Sequence, residues 1–562
     1  MNKFSLFICA SLFASSNLFA GNDDHIVFAD PIVEQICVDN WDFNKDGKLS
    51  YGEASGIKSV GMVFAKNPDI TSFNEFKYFT SVLQTEEFSF EACISLSEIT
   101  MPESMLSLEM GSFCDCSSLT KVTLNEGIKY IGEGCFANCG GIENITIPET
   151  VEKFGASAFH KCTSLLSITI PKKVEYLPVE LCNSCSALET VVLQEGLKGM
   201  GNSVFNECFN LKSVTLPSTF KSFGMWVFWD CYSVEKYDVA EANPYYTSVD
   251  GVLYSKDMKT LVQYPAGSPV KDFTVPDGIE TVGFASCEGS LNLEKVTIPA
   301  SVKKLDGASL YKCENLREIK LNEGLEEIGN EAFYNCMYLA DPVLPQSIKT
   351  LGSGAFTGCE SFVNIAIPEK VTYIDFRLFF NCYALKSVTF SQNVNTIDQE
   401  AFSGCVSLES MVLPKKLSYI GPIAFKNCNQ MNDIKIYLDK PFIAGAEISQ
   451  ILPTDDNGNI LENERIIYVP KGCKEAFEAD NFWKNAKEIR EFDADDTAIG
   501  EAVADGKVLN INGTDVNVSA EDGYVNIYTV DGRLFDSVSV NESGIVIPEG
   551  IYIVNGKKIV VR

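Results

Sequence analysis

Thirteen cysteines recur at a fixed interval of 23 residues: Cys93, Cys116, Cys139, Cys162, Cys185, Cys208 and Cys231, then, after one interruption, Cys313, Cys336, Cys359, Cys382, Cys405 and Cys428. A period without drift returns the backbone to the same place on every coil, so equivalent side chains stack into ladders along one axis. The chain therefore reads as a repeat protein. Growth along one dimension is also what lets 562 residues fold without a single oversized core.

One period shows how a coil is built. In Cys116-Ser-Ser-Leu119-Thr-Lys-Val122-Thr-Leu124-Asn-Glu-Gly-Ile128-Lys-Tyr-Ile131-Gly132-Glu-Gly-Cys135-Phe136, residues 119–124 alternate and are β-branched, as a strand requires. Turn residues follow, then the Ile131-Gly132 bend, which leads into an expected short helical or 3₁₀ piece. An aromatic three residues before the next cysteine forms a second ladder: Phe90, Phe113, Phe136, Phe159, Phe205, Phe228, Phe333, Phe356, Phe379, Phe402 and Phe425, broken at Cys182 and Leu310.

Twenty cysteines in an exported chain invite a disulfide reading. The register argues for the opposite, because it stacks the thiols with parallel Cα–Cβ vectors, whereas a disulfide needs its two arms turned toward each other. The ladder is read as reduced cysteine acting as a small buried hydrophobe, with bridging as the alternative. Metal binding on the ladder lacks a paired histidine.

The interruption between Cys231 and Cys313 is where the repeat is remodelled. Asn243-Pro244-Tyr245-Tyr246-Thr247-Ser248-Val249-Asp250-Gly251-Val252-Leu253-Tyr254, followed by Lys259-Thr260-Leu261-Val262-Gln263-Tyr264-Pro265, reads as two strands joined by a turn. Cys287 reads as restarting the ladder, with Glu288-Gly289-Ser290 as a three-residue insertion. Trp226, Trp229, Tyr232, Tyr245, Tyr246 and Tyr254 cluster here with Tyr237 and Tyr264. They are candidate binding residues, and packing of the hairpin onto its neighbours is the competing role. By contrast, the outward strand positions, such as Ser167 and Thr169 or Ser213 and Thr215, are short and polar. That face suits extended protein contact or solubility better than sugar binding.

Upstream, Asp42-Phe43-Asn44-Lys45-Asp46-Gly47-Lys48-Leu49-Ser50-Tyr51-Gly52-Glu53 matches an EF-hand calcium loop at every ligand position. Asp42, Asn44 and Asp46 offer side-chain oxygens, Lys48 a carbonyl, Ser50 a direct or water-bridged contact and Glu53 a bidentate carboxylate. A lone loop points to one structural calcium that rigidifies the N-terminal cap. Residues 1–20 read as a cleaved secretory signal, and no later window is long and apolar enough to span a membrane. A net charge of −31 repels nucleic acid and anionic lipid. Of the two histidines, His160 reads as a solvated turn residue and His25 lies near the mature N-terminus. No nucleophile motif or phosphate loop accompanies them, so the chain reads as non-enzymatic.

The recurring form in Ala158-Phe159-His160-Lys161-Cys162-Thr163-Ser164-Leu165-Leu166-Ser167-Ile168-Thr169-Ile170-Pro171 resembles the leucine-rich repeats of the BspA-like surface proteins of anaerobic bacteria and some protozoan parasites. The resemblance implies an α/β leucine-rich-repeat solenoid with a concave parallel β-sheet. It also implies surface display and, for some members, adhesion to host or bacterial proteins. Residues 507–562, with Tyr524-Val525-Asn526-Ile527-Tyr528 and Gly550-Ile551-Tyr552-Ile553-Val554, read as a small C-terminal β-sandwich. They resemble the sorting domains of type IX secretion cargo in Bacteroidetes.

The expected organisation is a signal at 1–20, a cap with the EF-hand-like loop at 21–80 and repeats at 81–430 with a hairpin insertion at about 238–275. A C-terminal cap at 431–492, a linker at 493–506 and the β-domain at 507–562 complete it. The expected product is an exported, cell-surface, outer-membrane-associated or extracellular protein that adheres to a protein ligand on a host or bacterial surface. A glycan-binding accessory protein and a structural spacer are the alternatives.

Overall fold

Most 23-residue turns lay down a longer and a shorter strand, and the interval itself sets their register. Ser167–Ile170 pairs in parallel with Thr190–Leu193, Ile168 lying opposite Val191, while the short Tyr176–Leu177 pairs in parallel with Gly199–Met200. The computed structural model describes residues 24–441, 450–454 and 460–493, and the backbone of six strands between 507 and 561. The expected signal at 1–20, and the linker beyond residue 493, lie outside the described residues. Two units are present, residues 1–490 and 491–562.

The longer strands alternate as a half-buried sheet must: Ser167 and Thr169 face solvent, Ile168 and Ile170 face the core. Lysine and glutamate also stack 23 residues apart, as in Lys198 with Glu175 at 2.5 Å and Lys271 with Glu294 at 2.6 Å. These pairs are exposed, so each contributes about 0–1 kcal/mol.

The architecture is a parallel β-solenoid with little helix, which corrects the α/β expectation. The stretch ahead of each cysteine forms turns rather than helix, because two residues per coil adopt left-handed backbone four positions apart. Gly134 and Asn138 (φ 56° and 59°), Ser157 and Lys161 (55° and 56°), and Ser203 and Glu207 (55° and 58°) are examples. A right-handed helix cannot run through such a pair. The described α-helices are Pro31–Trp41, Tyr51–Gly56 and Lys474–Glu478. Glycine is required at the bend: a Cβ on Gly155 would lie 2.1 Å from Glu133 N.

Those tight turns stack the phenylalanines, with Phe113 and Phe136 rings 5.4 Å apart at 8°. Each ladder cysteine is buried and unbridged. Its thiol is also a donor: Cys139 Sγ to Phe113 O at 3.0 Å and Cys162 Sγ to Phe136 O at 3.2 Å repeat along the stack. The same Phe113 carbonyl accepts from Cys116 N at 3.2 Å, so both of its lone pairs are used. Cysteine fits because it is small, apolar and able to give this weak bond.

Cys287 does not restart the thiol ladder. It occupies the phenylalanine place, as Leu310 does in the next coil, since Cys313 Sγ donates to Cys287 O (3.1 Å) as Cys336 Sγ donates to Leu310 O (3.2 Å). Ser290, 23 residues before Cys313, holds the thiol place, and there is no insertion. Its Oγ is buried without a partner.

The remodelled segment forms three strands rather than two: Tyr246–Val249, Val252–Ser255 and Thr260–Gln263. Asp250 and Gly251 both have positive φ (51° and 79°), the requirement of a two-residue hairpin turn, so the first expected strand folds back on itself. Thr260–Gln263 then pairs in parallel with Thr281–Val282 and continues the sheet of short strands. Alternation along Val252–Ser255 divides the interior. Leu253 joins a core cluster running from Ile26 to Tyr237, whereas Val252 and Tyr254 join one running to Ile489.

At the N-terminal end, Ser72–Phe73 pairs in parallel with Glu98–Thr100. At the other end, Ile466–Pro470 continues the last sheet and Trp483 is fully buried in the second cluster. The second unit contains a two-stranded and a four-stranded antiparallel sheet.

Candidate functional site

Coils are tied together along the turn side by three backbone hydrogen bonds per junction. Between the coils of Cys208 and Cys231, Ser203 N donates to Met225 O (2.9 Å), Phe205 N to Val227 O (3.0 Å) and Glu207 N to Trp229 O (2.9 Å). The same three rungs recur at every junction from Cys93 to Cys231 and from Ser290 to Cys428. One junction breaks the pattern. Among the described residues, the N–H groups of Trp226 and Phe228 meet no carbonyl of the next coil, and Asp230 N donates to the Glu288 carboxylate at 3.1 Å instead. Ser286 O, the carbonyl in register with Phe228 N, accepts from Tyr264 N in the inserted segment.

The inserted hairpin wedges this junction open into a cleft of about 790 Å³. One wall is Phe223 to Trp229, the facing wall Gly283 to Ala285, and Tyr246, Leu253, Thr260, Val262 and Gln263 supply the hairpin side. Trp226 is 42% exposed and packs edge-on against Phe284, with centroids 6.1 Å apart. Asn202, Thr281 and Asp306 supply polar groups, and no lysine or arginine lines the cleft.

Of the six aromatics singled out in the sequence, the cleft gathers Trp226, Trp229 and Tyr246. Tyr246 is partly buried and its hydroxyl donates to Lys221 O at 3.1 Å. Tyr254 is 2% exposed and serves the core, as do Tyr237 and Tyr264. Tyr245 is exposed but lies outside the cleft lining, and the Tyr232 hydroxyl donates to Asp230 behind it. Phe223 and Phe284 were missed. Phe223 precedes the bend glycine Gly224, whereas Phe284 follows the bend glycine Gly283 and precedes the left-handed Ala285, so only the stacking of two non-consecutive coils brings the two side chains to one place.

Beneath the junction sits Glu288, 3% exposed, with Oε1 buried and unpartnered. Burial, reinforced by the nearby Asp230 carboxylate, pushes its carboxyl up to about 8 despite the hydrogen bond from Asp230 N. A raised folded-state value means the folded junction holds a proton that the unfolded chain releases. That stabilisation is complete below about 4.5 and is lost as pH rises through about 8. The melting midpoint is therefore expected to fall between pH 5 and 8, and Glu288→Gln to remove most of the fall; an unchanged slope in the variant would exclude this role.

The strand faces elsewhere are plain: Thr169 and Thr215 are exposed and flanked by other short polar groups. His160 is not a solvated turn residue. It is half-buried with Nδ1 enclosed and unpartnered, and burial, then Lys161, lowers its pKa.

The EF-hand-like segment forms a helix, loop and helix, Pro31–Trp41 and Tyr51–Gly56 flanking the loop. Gly47 has φ 81°, which suits only glycine-like backbone. Asp42 accepts from Lys45 N (2.7 Å) and Gly47 N (2.8 Å), and Asp46 accepts from Lys48 N (3.0 Å). Glu53 clamps both ends, accepting from Phe43 N (2.9 Å), Asn44 N (3.1 Å) and Ser50 N (2.9 Å). Leu49 O accepts from Ile26 N at 2.9 Å, so the N-terminal segment takes the place a second loop would fill. Among the described residues, no three His, Cys, Asp or Glu side chains converge as a ready ligand set. The Asp42, Asn44, Asp46 and Glu53 side-chain oxygens instead accept from backbone N–H groups of the loop; carboxylate and amide oxygens are the donor types a hard cation takes.

The chain matches the BspA type leucine rich repeat region (6 copies) over residues 64–184, 108–235, 266–361 and 326–440. It belongs to the BspA-type leucine-rich repeat family. Its matched stretches break at the inserted hairpin. Among solved structures, a leucine-rich repeat protein from Eubacterium ventriosum is 23% identical, covering 65% of this chain and 87% of that one with a TM-score of 0.47. A leucine rich cell surface protein from Faecalibacterium prausnitzii is 24% identical, covering 65% and 82% with a TM-score of 0.43. The pneumococcal vaccine antigen PcpA is 20% identical, covering 75% and 85% with a TM-score of 0.42. No curated protein matches. Among the described residues no helix is long and apolar enough to cross a membrane.

Proposed function

We propose that the protein is a non-enzymatic recognition protein, exported to the cell surface or released, that adheres to proteins of host or bacterial surfaces through the cleft at the broken junction. The supporting observation is that all three inter-coil rungs are lost there and nowhere else in the array, beside an exposed Trp226. On the turn side every other junction from Cys93 to Cys428 keeps its three rungs, so this is where a partner's backbone has most to gain. The test is adhesion of beads carrying the full mature protein to immobilised host matrix proteins and to bacterial cells. Trp226→Ala with Trp229→Ala is expected to lower capture at least about tenfold, the loss of a modest hot spot. Thr169→Ala with Thr215→Ala should change it little, and equal losses would reject the cleft as the site. A glycan ligand is the second reading, favoured by the exposure of Trp226 and Tyr245.

In the same reading, one calcium ion held by Asp42, Asn44, Asp46, Ser50, Glu53 and the Lys48 carbonyl rigidifies the N-terminal cap, and the C-terminal strands close into a sorting sandwich. Calcium at 100 times its dissociation constant would add about 2.7 kcal/mol to a unit that binds it only when folded. Hydrogen exchange with calcium and with chelator is expected to differ over residues 34–80 and little beyond the first coils, and Glu53→Gln should abolish the difference. No change in the cap, or an even change to residue 430, would remove the local role.

A further inference from the structure

We infer that the occupant of the cleft is a peptide segment, whose backbone carbonyls at alternate residues accept hydrogen bonds from the N–H groups of Trp226 and Phe228. The inference rests on the reading of the cleft as the recognition site and names the chemistry it recognises. The array itself shows what those donors take. One coil earlier, Ser203 N and Phe205 N, in the same register, bond the carbonyls of Met225 and Val227, two residues apart on one segment. Trp226 and Asp230 have φ of 55° and 58°, the values found at Ser203 and Glu207, so the donors keep the orientation of a rung. What differs is only that the acceptor segment is displaced: Ser286 O is committed to Tyr264 N, and Asp230 N to Glu288.

The site is an interrupted hydrogen-bond ladder rather than a greasy slot. A segment that presents two carbonyls two residues apart on one side, as Met225 and Val227 do one coil earlier, completes both vacant rungs and lies beside Phe223, Trp226 and Phe284. The volume of about 790 Å³ lies within the range of about 300–1,000 Å³ for sites that enclose a small ligand. Sugars carry no carbonyls spaced as on a peptide backbone, and the lack of a lining lysine or arginine disfavours anionic ligands.

Hydrogen exchange of the full mature protein tests this without a known ligand. In the free protein, amides in residues 222–230 are expected to exchange at least about tenfold faster than those in the equivalent residues 199–207. An equimolar library of acetylated, amidated hexapeptides is then added. Retained peptides should slow exchange over 222–230, and retention should be lost in Trp226→Ala and in Thr281→Trp, which crowds the cleft from a partly exposed strand position. Equally slow exchange in the two segments of the free protein would overturn the inference. So would retention of cellohexaose or maltohexaose in place of any peptide. Bead adhesion that depends on Trp226 and Trp229 with no peptide retained would overturn it while leaving the recognition reading intact. Peptide protection with adhesion indifferent to those tryptophans would support the inference and defeat that reading.

Discussion

A thiol reagent added to the native protein is expected to modify almost none of the thirteen ladder cysteines, and nearly all of them once the chain is unfolded without reductant. Two physical barriers act in the folded state. The ladder thiols are buried, from 0% exposed at Cys139 to 2% at Cys231, so the reagent cannot reach them. Burial also raises the thiol pKa at most of them, to about 12 at Cys428 and further at Cys139 and Cys336, which removes the reactive thiolate at neutral pH; at Cys93 the hydrogen bond with Cys116 lowers it, and there only inaccessibility protects. Cys114 and Cys473, both partly exposed, lie outside the ladder and are the described thiols most open to slow reaction. Titration before and after denaturant, under non-reducing conditions, measures the difference directly. Absence of free thiol after unfolding would mean the ladder is bridged and the stacking account is wrong.

Replacing Leu253 by Ala is expected to cost about 2–5 kcal/mol and to loosen chiefly the coils on the N-terminal side of the hairpin. Leu253 is fully buried in the cluster that ends at Tyr237, whereas its neighbour Tyr254 is buried in the cluster that extends to Ile489. Tyr254→Ala should accordingly loosen the coils after residue 275, at a cost of about 3–5 kcal/mol, comparable to other large aromatic deletions. Coils communicate through nearest-neighbour interfaces, so each effect should fade over a few turns. Hydrogen exchange along the chain distinguishes the two variants. Identical patterns of lost protection would show that the strand does not divide the interior.

The repeat was legible to the residue. The 23-residue spacing set both the strand register and the burial of Ile168 and Ile170, because a side chain that recurs without drift can only stack on itself. The helix expected ahead of each cysteine was misread for a local reason. Left-handed backbone at Ser157, Lys161 or Glu207 is not announced by the side chain, although Asn138, Gly358 and Gly404 at the equivalent place gave a partial signal. Asp250-Gly251 was a readable hairpin turn that was assigned to the interior of a strand. Cys287 misled because one residue type served two ladders, thiol and phenylalanine, and only its partner carbonyl separates them.

Sequence by itself determined what repeats: the period, the parallel strands, the buried cysteine and phenylalanine ladders and the polar strand face, since each depends on residue chemistry at fixed spacing. Tertiary structure alone decided what does not repeat. It showed which of the clustered aromatics belong to the core and which to a cleft, that Phe284 faces Trp226 across a junction 58 residues wide in sequence, and that two backbone donors are left there without a rung. The reason is that a regular array is specified by nearest neighbours, whereas a break in it is specified by how far an inserted hairpin displaces one coil from the next.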